Sequence, residues 1–356
     1  MIIAISVAFS ICSIPFRWAR DTSYLLMIIV VIFVSGIRYK TGYDYDNYVE
    51  IYKNIVQGSL DERVEYAWFY LNKAAYYIFD SPSGVFIVSS FLIYAPIAWV
   101  LYRESKAAAI AFAAFIFGVQ FYWESLSILR QYIGISIALL ASWCWVKGRK
   151  IEFILLLATA MLFHTSAILA LVTPILVRWS SRKTFFLSAA AGSLLLSLII
   201  PVLISNVGPL MKYEPYFDGS IVAAGEVNSG LVVYAKALMA LMMILLVQYT
   251  ATISENKKNL VINSIILGYS LFFCFYDSTA LRRSSYYFLI YEIFAIAYIF
   301  ENILVNKKIA IKIISAALVV SYMTLSFVIL YKDVWSNPYG KQEDSQYNYE
   351  FQSIID

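Results

Sequence analysis

The chain has 356 residues, of which 61% are hydrophobic and 14% are charged, and its mean hydropathy is +0.72. Such a composition excludes an ordinary soluble domain and is typical of a bundle of apolar helices of about 20 residues each. The net charge of +4 is too small to indicate binding of nucleic acid. We therefore expect an all-α, polytopic integral membrane protein, and we treat residues 1–356 as a single domain because no repeat or linker divides them.

Basic clusters such as Lys147, Arg149 and Lys150 separate the apolar runs and set the predicted topology. If these clusters face the cytoplasm, the outer face receives a loop at residues 38–83 and a C-terminal tail at residues 331–356. The first apolar run has no basic region ahead of it and no cleavage site behind it, so we predict a span there, not a signal peptide. The predicted transmembrane helices, about ten in number, lie at residues 2–16, 23–37, 84–102, 107–123, 131–146, 184–205, 231–249, 260–276, 286–305 and 310–330.

The loop after the second span opens with RYKTGYDYDNYVEIY, from Arg38 to Tyr52, in which charged side chains alternate with tyrosines. Apolar positions recur at helical spacing from Tyr45 to Val56 and again within Glu62–Phe79. This spacing predicts two amphipathic helices lying in the outer interface. Alternating charges and rings suit a ligand that has both sugar faces and phosphates. The alternative is an ordinary interfacial loop with its tyrosine belt, in which Asp44 or Asp46 only caps the first helix.

Residues 151–177 break the alternation of the spans, because basic clusters lie at both of their ends. If both ends are cytoplasmic, the segment crosses the membrane an even number of times. We therefore predict a re-entrant hairpin of two short helices with its apex near residues 163–166, where His164 is the only histidine of the chain. Irregular backbone at such a depth needs protein or a water-filled cavity around it. One long tilted span is the alternative.

Charged residues at the outer ends of the spans are expensive to place there and indicate function or buried pairs. Arginine presents a planar fork that matches phosphate oxygens, so several arginines around one cavity would bind a pyrophosphate. A pyrophosphate at membrane level with apolar walls below it describes a polyprenyl-pyrophosphate lipid. Each arginine alone can also be explained by contact with lipid headgroups. The charged residues in question are Arg38, Glu124, Arg130, Arg282 and Arg283.

Four short motifs resemble those of the EpsG-like family of Wzy-type polysaccharide polymerases. RYKTGYDYDNY is similar to that family's R-Y-x-x-G-x-D-Y-x-x-Y signature, and SILRQYIGISIAL, AMLFHTSAIL and RSSYYF resemble three further motifs in the expected order. They extend from residue 38 to residue 288. Gly134 replaces the usual alanine of the second motif. Of the adjacent Arg282 and Arg283, the spacing to Tyr287 and Phe288 favours Arg283.

The resemblance implies a glycosyltransferase, with a GT-C-like all-α fold, on the outer face of the bacterial inner membrane. It would transfer a growing oligosaccharide from undecaprenyl pyrophosphate to a lipid-linked repeat unit, in the synthesis of O-antigen, capsule or exopolysaccharide. The donor is already activated, so no cofactor is implied. A co-polymerase that sets chain length is the partner that the resemblance implies, together with the lipid bilayer.

Such a reaction needs positive groups for the departing pyrophosphate and a base for the attacking hydroxyl. We assign Arg38, Arg130 and Arg283, or Arg282 in its place, to the pyrophosphate. His164 and Asp44 compete as the base; histidine changes its protonation near neutral pH, and Asp44 lies in an outer loop. Asp44 and Asp46 also allow a metal-site interpretation like that of nucleotide-sugar transferases, but the outer face offers no nucleotide sugar to bind, so we predict no metal site. Sensitivity of polymerisation to chelators would contradict this. The remaining predicted substrate-binding residues are Tyr39, Gly42, Tyr45, Tyr48, Glu124 and Gln131, with the tyrosines stacking on the saccharide.

Two other functions use related chemistry. A polysaccharide ligase uses the same donor with a different final acceptor, but ligases generally carry a large outer loop, and the late loop here, 206–230, is modest. A flippase or another transporter of lipid-linked saccharides is the non-enzyme alternative. Transporters tend to have repeated halves, which this sequence lacks.

Overall fold

The computed structural model describes residues 2–12, 17–58, 64–180, 182–206, 230–250, 253–276, 278–305 and 308–331. All regular secondary structure in these ranges is helical, in agreement with the predicted all-α class. The predicted C-terminal tail lies outside the described residues except for Tyr331.

The described residues form two compact units. The first extends to Leu171 and also includes the described residues from Val320 onward. A π-helix, Val119–Trp123, and a 3-10 helix, Thr165–Val172, interrupt its α-helices. Those are α1 (Ile2–Cys12), α2 (Arg17–Gly36), α3 (Tyr45–Val56), α4 (Tyr66–Phe79), α5 (Pro82–Glu104), α6 (Ala108–Phe117), α7 (Glu124–Ser127), α8 (Leu129–Val146) and α9 (Lys150–Phe163).

The second unit covers the described residues from Val172 to Val319. Inside it Arg182 donates hydrogen bonds to the side-chain oxygens of Asn259, at 2.6 Å, and Asn263, at 3.1 Å, which fixes the start of one helix against another. Its helices are α10 (Thr173–Arg178), α11 (Arg182–Asn206), α12 (Gly230–Gln248), α13 (Glu255–Cys274), α14 (Thr279–Arg282), α15 (Tyr286–Leu289), α16 (Glu292–Val305) and the first part of α17 (Ile309–Tyr331).

Six helical segments in the described part of the chain are long and apolar enough to cross a membrane. A seventh candidate is the pair Ala108–Phe117 and Gln120–Ser127, which is bent by 70°. Six or seven of the ten predicted spans therefore meet this test. In the described part of the chain, the predicted spans at 2–16 and 231–249 contain the shorter apolar helices Ile3–Cys12 and Tyr234–Gln248. The predicted span at 260–276 lies mostly in α13, which is not among the six. The six segments are Trp18–Gly36, Pro82–Glu104, Leu129–Val146, Arg182–Ile200, Arg283–Val305 and Ile309–Ile329.

The two amphipathic helices predicted in the loop after the second span are present as α3 and α4. Tyr45, Tyr48, Tyr52 and Ile55 form the buried face of α3, at the spacing that the sequence predicts. The ring of Tyr45 stacks on Phe86 of α5, with 4.7 Å between the ring centroids. Helix α4 begins at Tyr66, within the predicted range Glu62–Phe79, and residues 59–63 are outside the described part.

The helical break predicted near residues 163–166 is also present. Helix α9 ends at Phe163, and His164 has extended backbone angles, φ −158° and ψ 121°. A 3-10 helix begins at Thr165. Because the backbone turns out of the helix at His164, the imidazole projects from a chain break and not from a helix face. That residues 151–177 form a re-entrant hairpin, with both ends on the same side of the membrane, stays a prediction.

The loop between α2 and α3 packs closely on the end of α7. The guanidinium of Arg38 donates to the carbonyl oxygen of Leu126 at 3.2 Å, and the amide of Tyr43 donates to Ser127 Oγ at 3.1 Å. Gly42 has a φ of +97°, and a Cβ at this position would lie 2.5 Å from the Leu126 carbonyl oxygen. The glycine of the first motif is thus required both by the turn and by the close approach of the backbone.

We expect Gly42→Ala to destabilise the protein by about 3 kcal/mol, from backbone strain and the collision with Leu126 together. Gly58 is the matched control, because it also has a positive φ, +83°, but has nothing within 4 Å of an added Cβ. Gly58→Ala should therefore cost only the strain, about 1–2 kcal/mol. Melting temperatures of both variants in the same detergent test this order. Equal losses would contradict the close approach at Leu126.

Candidate active site

Three charged or titratable side chains meet where α4, α8 and α9 begin or end. Glu65 Oε2 accepts a hydrogen bond from Arg130 Nη1 at 2.7 Å, and Glu65 Oε1 lies 2.9 Å from His164 Nδ1. The side chains of Arg130, Glu65 and His164 are 25%, 15% and 29% exposed. We call these three residues the Glu65 cluster. Their partial exposure leaves the cluster accessible to a ligand.

The local backbone explains how each side chain reaches the cluster. Glu65 precedes α4 in an extended conformation, and its side chain makes no capping hydrogen bond to that helix. Its carboxylate therefore turns toward α8 and α9. Arg130 lies in the first turn of α8, directly after the break at Ile128. His164 occupies the break that ends α9.

The electrostatics of the cluster favour an ionised carboxylate. Burial alone would raise the pKa of Glu65, but the hydrogen bond from His164 and the charge of Arg130 outweigh burial and hold its pKa below the usual range. An ionised carboxylate only accepts hydrogen bonds, so the Nδ1 atom of His164 must carry a proton. In the neutral imidazole the lone pair is then on Nε2, which makes no hydrogen bond to any residue that the structure describes.

Tyr48 of α3 supports the cluster from a second side. It is 4% exposed, its ring lies 5.2 Å from that of Trp68, and its hydroxyl interacts with Arg130. Burial raises the pKa of the Tyr48 hydroxyl above its ordinary value, although Arg130 acts in the opposite direction. Tyr48 is therefore neutral at physiological pH. The ionised partner of Arg130 in the cluster is Glu65.

Residues 21–351 match the model of the EpsG family. The chain belongs to the EpsG family. The resemblance inferred from the four motifs is thereby confirmed over nearly the whole chain, and family membership supports a polysaccharide polymerase type of function in a multi-pass membrane protein. No curated protein and no solved structure matches the chain significantly.

Two of the residues predicted for the site of this EpsG-family chain, Arg130 and His164, lie together in the Glu65 cluster, and Tyr48 adjoins them. Asp44, the competing base, directly precedes α3 and makes no capping hydrogen bond to it. Among the described residues no group of three or more His, Cys, Asp or Glu side chains could hold a metal ion.

Arg38 of the first motif is 2% exposed and packs inside the first unit. It donates to the carbonyl oxygens of Ser35, at 2.7 Å, and Leu126, and its guanidinium lies 4.5 Å from the centre of the Phe86 ring. These contacts join α2, α5 and α7. A direct role of Arg38 toward pyrophosphate stays a prediction; in this structure it positions the motif.

The tyrosines of the same motif differ in exposure. Tyr45 and Tyr48 are buried, and the closest ring contacts that they make are with Phe86 and Trp68. Stacking of a saccharide on these two rings would therefore require α3 to move. Tyr39 is half-buried, with its ring 6.0 Å from that of Tyr45.

The other predicted substrate-binding residues lie in two places. Gln131 is 7% exposed and follows Arg130 in α8, and Glu124 is half-buried at the start of α7. Arg282 and Arg283 belong to the second unit, where Arg282 is 7% exposed and donates to the carbonyl oxygen of Tyr276 at 2.9 Å. The assignment of Arg283 to pyrophosphate stays a prediction.

Glu65 is the residue that the sequence did not reveal. It lies within the predicted range of the second amphipathic helix, where a carboxylate is an ordinary surface residue. Its partners are 65 and 99 positions away in the chain. One available signal was the chemistry of those partners, because an arginine and a histidine predicted at the ends of apolar spans are commonly paired with a carboxylate.

The ion pair of Glu65 with Arg130 and its hydrogen bond with His164 predict a specific loss of stability in acid. Because the pKa of Glu65 is lower in the folded protein than in the unfolded chain, its contribution is fully present above the unfolded value, about 4.3, and is lost as pH falls through the folded value. Melting temperatures measured from about pH 6 to pH 3.5 should fall less steeply for Glu65→Gln than for wild type. Glu50→Gln, on the exposed face of α3, should follow wild type. Identical slopes for wild type and Glu65→Gln would show that the ion pair with Arg130 and the hydrogen bond with His164 do not stabilise the fold.

Proposed function

We propose that this protein polymerises oligosaccharide repeat units on the outer face of the bacterial inner membrane. It transfers the growing chain from undecaprenyl pyrophosphate to a repeat unit that is itself lipid-linked, in the synthesis of O-antigen, capsule or exopolysaccharide. About ten spans in a GT-C-like arrangement, with the loop 38–83 outside, belong to the same proposal. A co-polymerase that sets chain length is its proposed protein partner.

The observation that carries the proposal is the Glu65–His164 contact of 2.9 Å, held by Arg130 on the second carboxylate oxygen. An imidazole that donates from Nδ1 to an ionised carboxylate presents a basic Nε2. This is the arrangement by which a histidine base is oriented and its charged form stabilised. A transfer to a sugar hydroxyl needs a base of this kind.

The reaction at this site is a substitution at the anomeric carbon of the donor sugar. His164 Nε2 accepts the proton of the acceptor hydroxyl while the hydroxyl oxygen forms the new glycosidic bond. The bond from the anomeric carbon to the phosphate oxygen breaks, and the polyprenyl pyrophosphate leaves with the electron pair. Glu65 stabilises the imidazolium that results, and the proton is then released to solvent or to the leaving pyrophosphate.

Arg130 has two tasks in this proposal. Its bond to Glu65 keeps the carboxylate in place, and its exposed part supplies positive charge for the departing pyrophosphate. Arg38 donates to the carbonyl oxygen of Leu126 and so holds the first motif against α7. This contact keeps α3, which begins within the motif, in position beside the Glu65 cluster.

Polymerisation by the purified protein tests the proposal. The substrate is one synthetic repeat unit on a polyprenyl pyrophosphate in detergent, and products are separated by length. We expect a ladder of products that differ by one repeat unit. Recovery of unchanged substrate, both from the protein alone and with a co-polymerase added, would contradict the proposal and favour a flippase. Single transfer to a different final acceptor would favour a ligase.

A further inference from the structure

We propose that Ser136 of α8 is a positioning residue of the candidate active site. Its hydroxyl joins α8 to α5 at the backbone carbonyl that Pro96 leaves without a helix donor. It acts through Arg130 and His164 and not on the substrate itself. The inference rests on the proposed function and deepens it by naming a residue that sets the geometry of the same site.

A proline inside α5 creates the need for an outside hydrogen-bond donor. Pro96 has no backbone N–H. In an α-helix the N–H of residue 96 would donate to the carbonyl oxygen of Leu92, four residues earlier. The segment Pro82–Glu104 is long and apolar enough to cross a membrane, where a carbonyl without a hydrogen bond is costly. A serine on a neighbouring helix is one of the groups that can satisfy such a carbonyl.

Ser136 of α8 supplies this donor. Its Oγ lies 2.7 Å from the carbonyl oxygen of Leu92 and 2.9 Å from that of Ile133 in its own helix. A hydroxyl has only one hydrogen to donate. The Ile133 carbonyl can accept the N–H of Ile137 within α8, whereas the Leu92 carbonyl has lost its helix donor, so the hydrogen belongs to Leu92. Ser136 is fully buried, so bulk water does not compete for this bond.

Leu92 and Glu65 belong to one pair of packed helices, α4 and α5. Glu65 directly precedes α4, which ends at Phe79, and α5 begins at Pro82. A Cβ at Gly84 of α5 would lie 2.5 Å from the ring of Phe79, so the two helices are in direct contact beside the turn that joins them. A shift of α5 therefore also shifts α4 and Glu65.

Ser136, Arg130 and His164 belong to a second pair of packed helices, α8 and α9. Arg130 precedes Ser136 by six positions in α8, which is about 9 Å along the helix axis. The rings of Trp145 in α8 and Phe153 in α9 are 5.2 Å apart, and α9 ends next to His164. The hydrogen bond of Ser136 thus joins the same two helix pairs that meet in the Glu65 cluster.

Polar contacts at two levels set the position of α8 along α5. Ser136 bonds to Leu92, and at the C-terminal ends of both helices Lys147 Nζ lies 2.5 Å from the carboxylate of Glu104. These contacts follow the same order in both helices, so α5 and α8 run parallel. The Ser136 contact is the nearer one to Arg130. Its loss lets the N-terminal half of α8 shift against α5, which disturbs the Glu65 cluster.

Replacement of Pro96 separates this positioning role from a role in stability alone. In Pro96→Ala the N–H of residue 96 can donate to the Leu92 carbonyl. Ser136 can still donate to the same oxygen, because a carbonyl accepts two hydrogen bonds. Removal of the Ser136 hydroxyl in this background therefore leaves no unsatisfied carbonyl, but it still releases α8 from α5.

The first test combines Ser136→Ala with Pro96→Ala in the purified full-length protein. We expect Ser136→Ala alone to lower the melting temperature by about 2–5 °C and kcat of polymerisation by about tenfold to a hundredfold. In the Pro96→Ala background it should leave the melting temperature nearly unchanged and still lower kcat. If it leaves kcat unchanged there, Ser136 only satisfies the carbonyl and the inference is overturned.

The matched control for Ser136→Ala is Ser270→Ala. The Ser270 hydroxyl donates to the carbonyl oxygen of Ile266 at 2.9 Å, within its own helix α13. Removal of this hydroxyl leaves the contact of α8 with α5 intact. Ser270→Ala should therefore keep the kcat of wild type, and a loss as large as that of Ser136→Ala would overturn the inference.

Threonine and valine at position 136 give a second comparison, which does not depend on Pro96. The two side chains are nearly equal in volume, and only threonine has a hydroxyl to donate. We expect Ser136→Thr to keep most of the wild-type kcat and Ser136→Val to lose as much as Ser136→Ala. Equal values of kcat in the two variants would overturn the inference, whatever the added bulk costs in stability.

The acid stability of the Glu65 cluster gives a readout that needs no polymerisation. The contacts of Glu65 with Arg130 and His164 contribute to the fall of the melting temperature between about pH 6 and pH 3.5. Ser136→Val should show the shallower fall expected of Glu65→Gln, and Ser136→Thr the fall of wild type. If wild type does not polymerise, the proposed function fails, and this measurement still decides the inference. The same fall in both variants would overturn it.

Discussion

Replacing His164 by alanine is expected to lower the rate of polymerisation by about 10²- to 10⁴-fold, the range that a general base supplies. The reason is that Nε2 of His164 is the basic atom that the Glu65 cluster presents, and no second histidine exists in the chain. Initial rates of chain growth on the lipid-linked repeat unit measure the effect. The variant must keep its melting temperature within a few degrees of wild type, which shows that the loss is chemical.

Asp44→Asn is the informative companion of that variant, because Asp44 is the other residue predicted as the base. We expect Asp44→Asn to retain most of the activity, since Asp44 is not a member of the Glu65 cluster. If Asp44→Asn abolishes chain growth and His164→Ala leaves it intact, the base is Asp44 and the mechanism through His164 is wrong.

Replacing Glu65 by glutamine is expected to lower kcat by roughly 10²-fold with little change in KM. Glutamine fills the same volume but brings no charge to stabilise the imidazolium, and its amide can also donate to Nδ1 and impose the wrong tautomer on His164. Steady-state kinetics with the lipid-linked repeat unit separate the two parameters. A lower kcat at an unchanged KM means that Glu65 stabilises the transition state and not substrate binding, as expected of a residue that positions His164.

Two controls accompany Glu65→Gln. Glu50→Gln, on the exposed face of α3, should leave both parameters unchanged. Arg130→Lys keeps a positive charge but not the planar fork, so we expect a smaller loss of kcat than in Glu65→Gln together with a rise in KM. A Glu65→Gln variant with normal kcat would show that the carboxylate only ties α4 to α8 and α9.

The parts of the fold that sequence reasoning predicted correctly are those set by local patterns. The buried face of α3 follows from tyrosines at helical spacing, and the break at His164 follows from a segment with basic residues at both ends. Each signal lies within one continuous stretch of the chain. The helical class and most of the long apolar spans follow from composition in the same way.

The centre of the site could not be predicted because its contacts connect distant parts of the chain. Glu65, Arg130 and His164 meet only after three helices have packed, and nothing near Glu65 distinguishes it from other surface carboxylates. The burial of individual side chains could not be predicted from the sequence either. Arg38 and Tyr45 carry the chemistry expected of a ligand site, but packing against Phe86 places both inside the protein.

Release of polyprenyl pyrophosphate tests the central claim most directly. Purified wild type and His164→Ala are incubated with the lipid-linked repeat unit, and free polyprenyl pyrophosphate is counted against glycosidic bonds formed. We predict one pyrophosphate released per bond by wild type, and neither bonds nor release above background by His164→Ala. Chain growth without release of the lipid pyrophosphate, or chain growth by His164→Ala at the rate of wild type, would contradict the account.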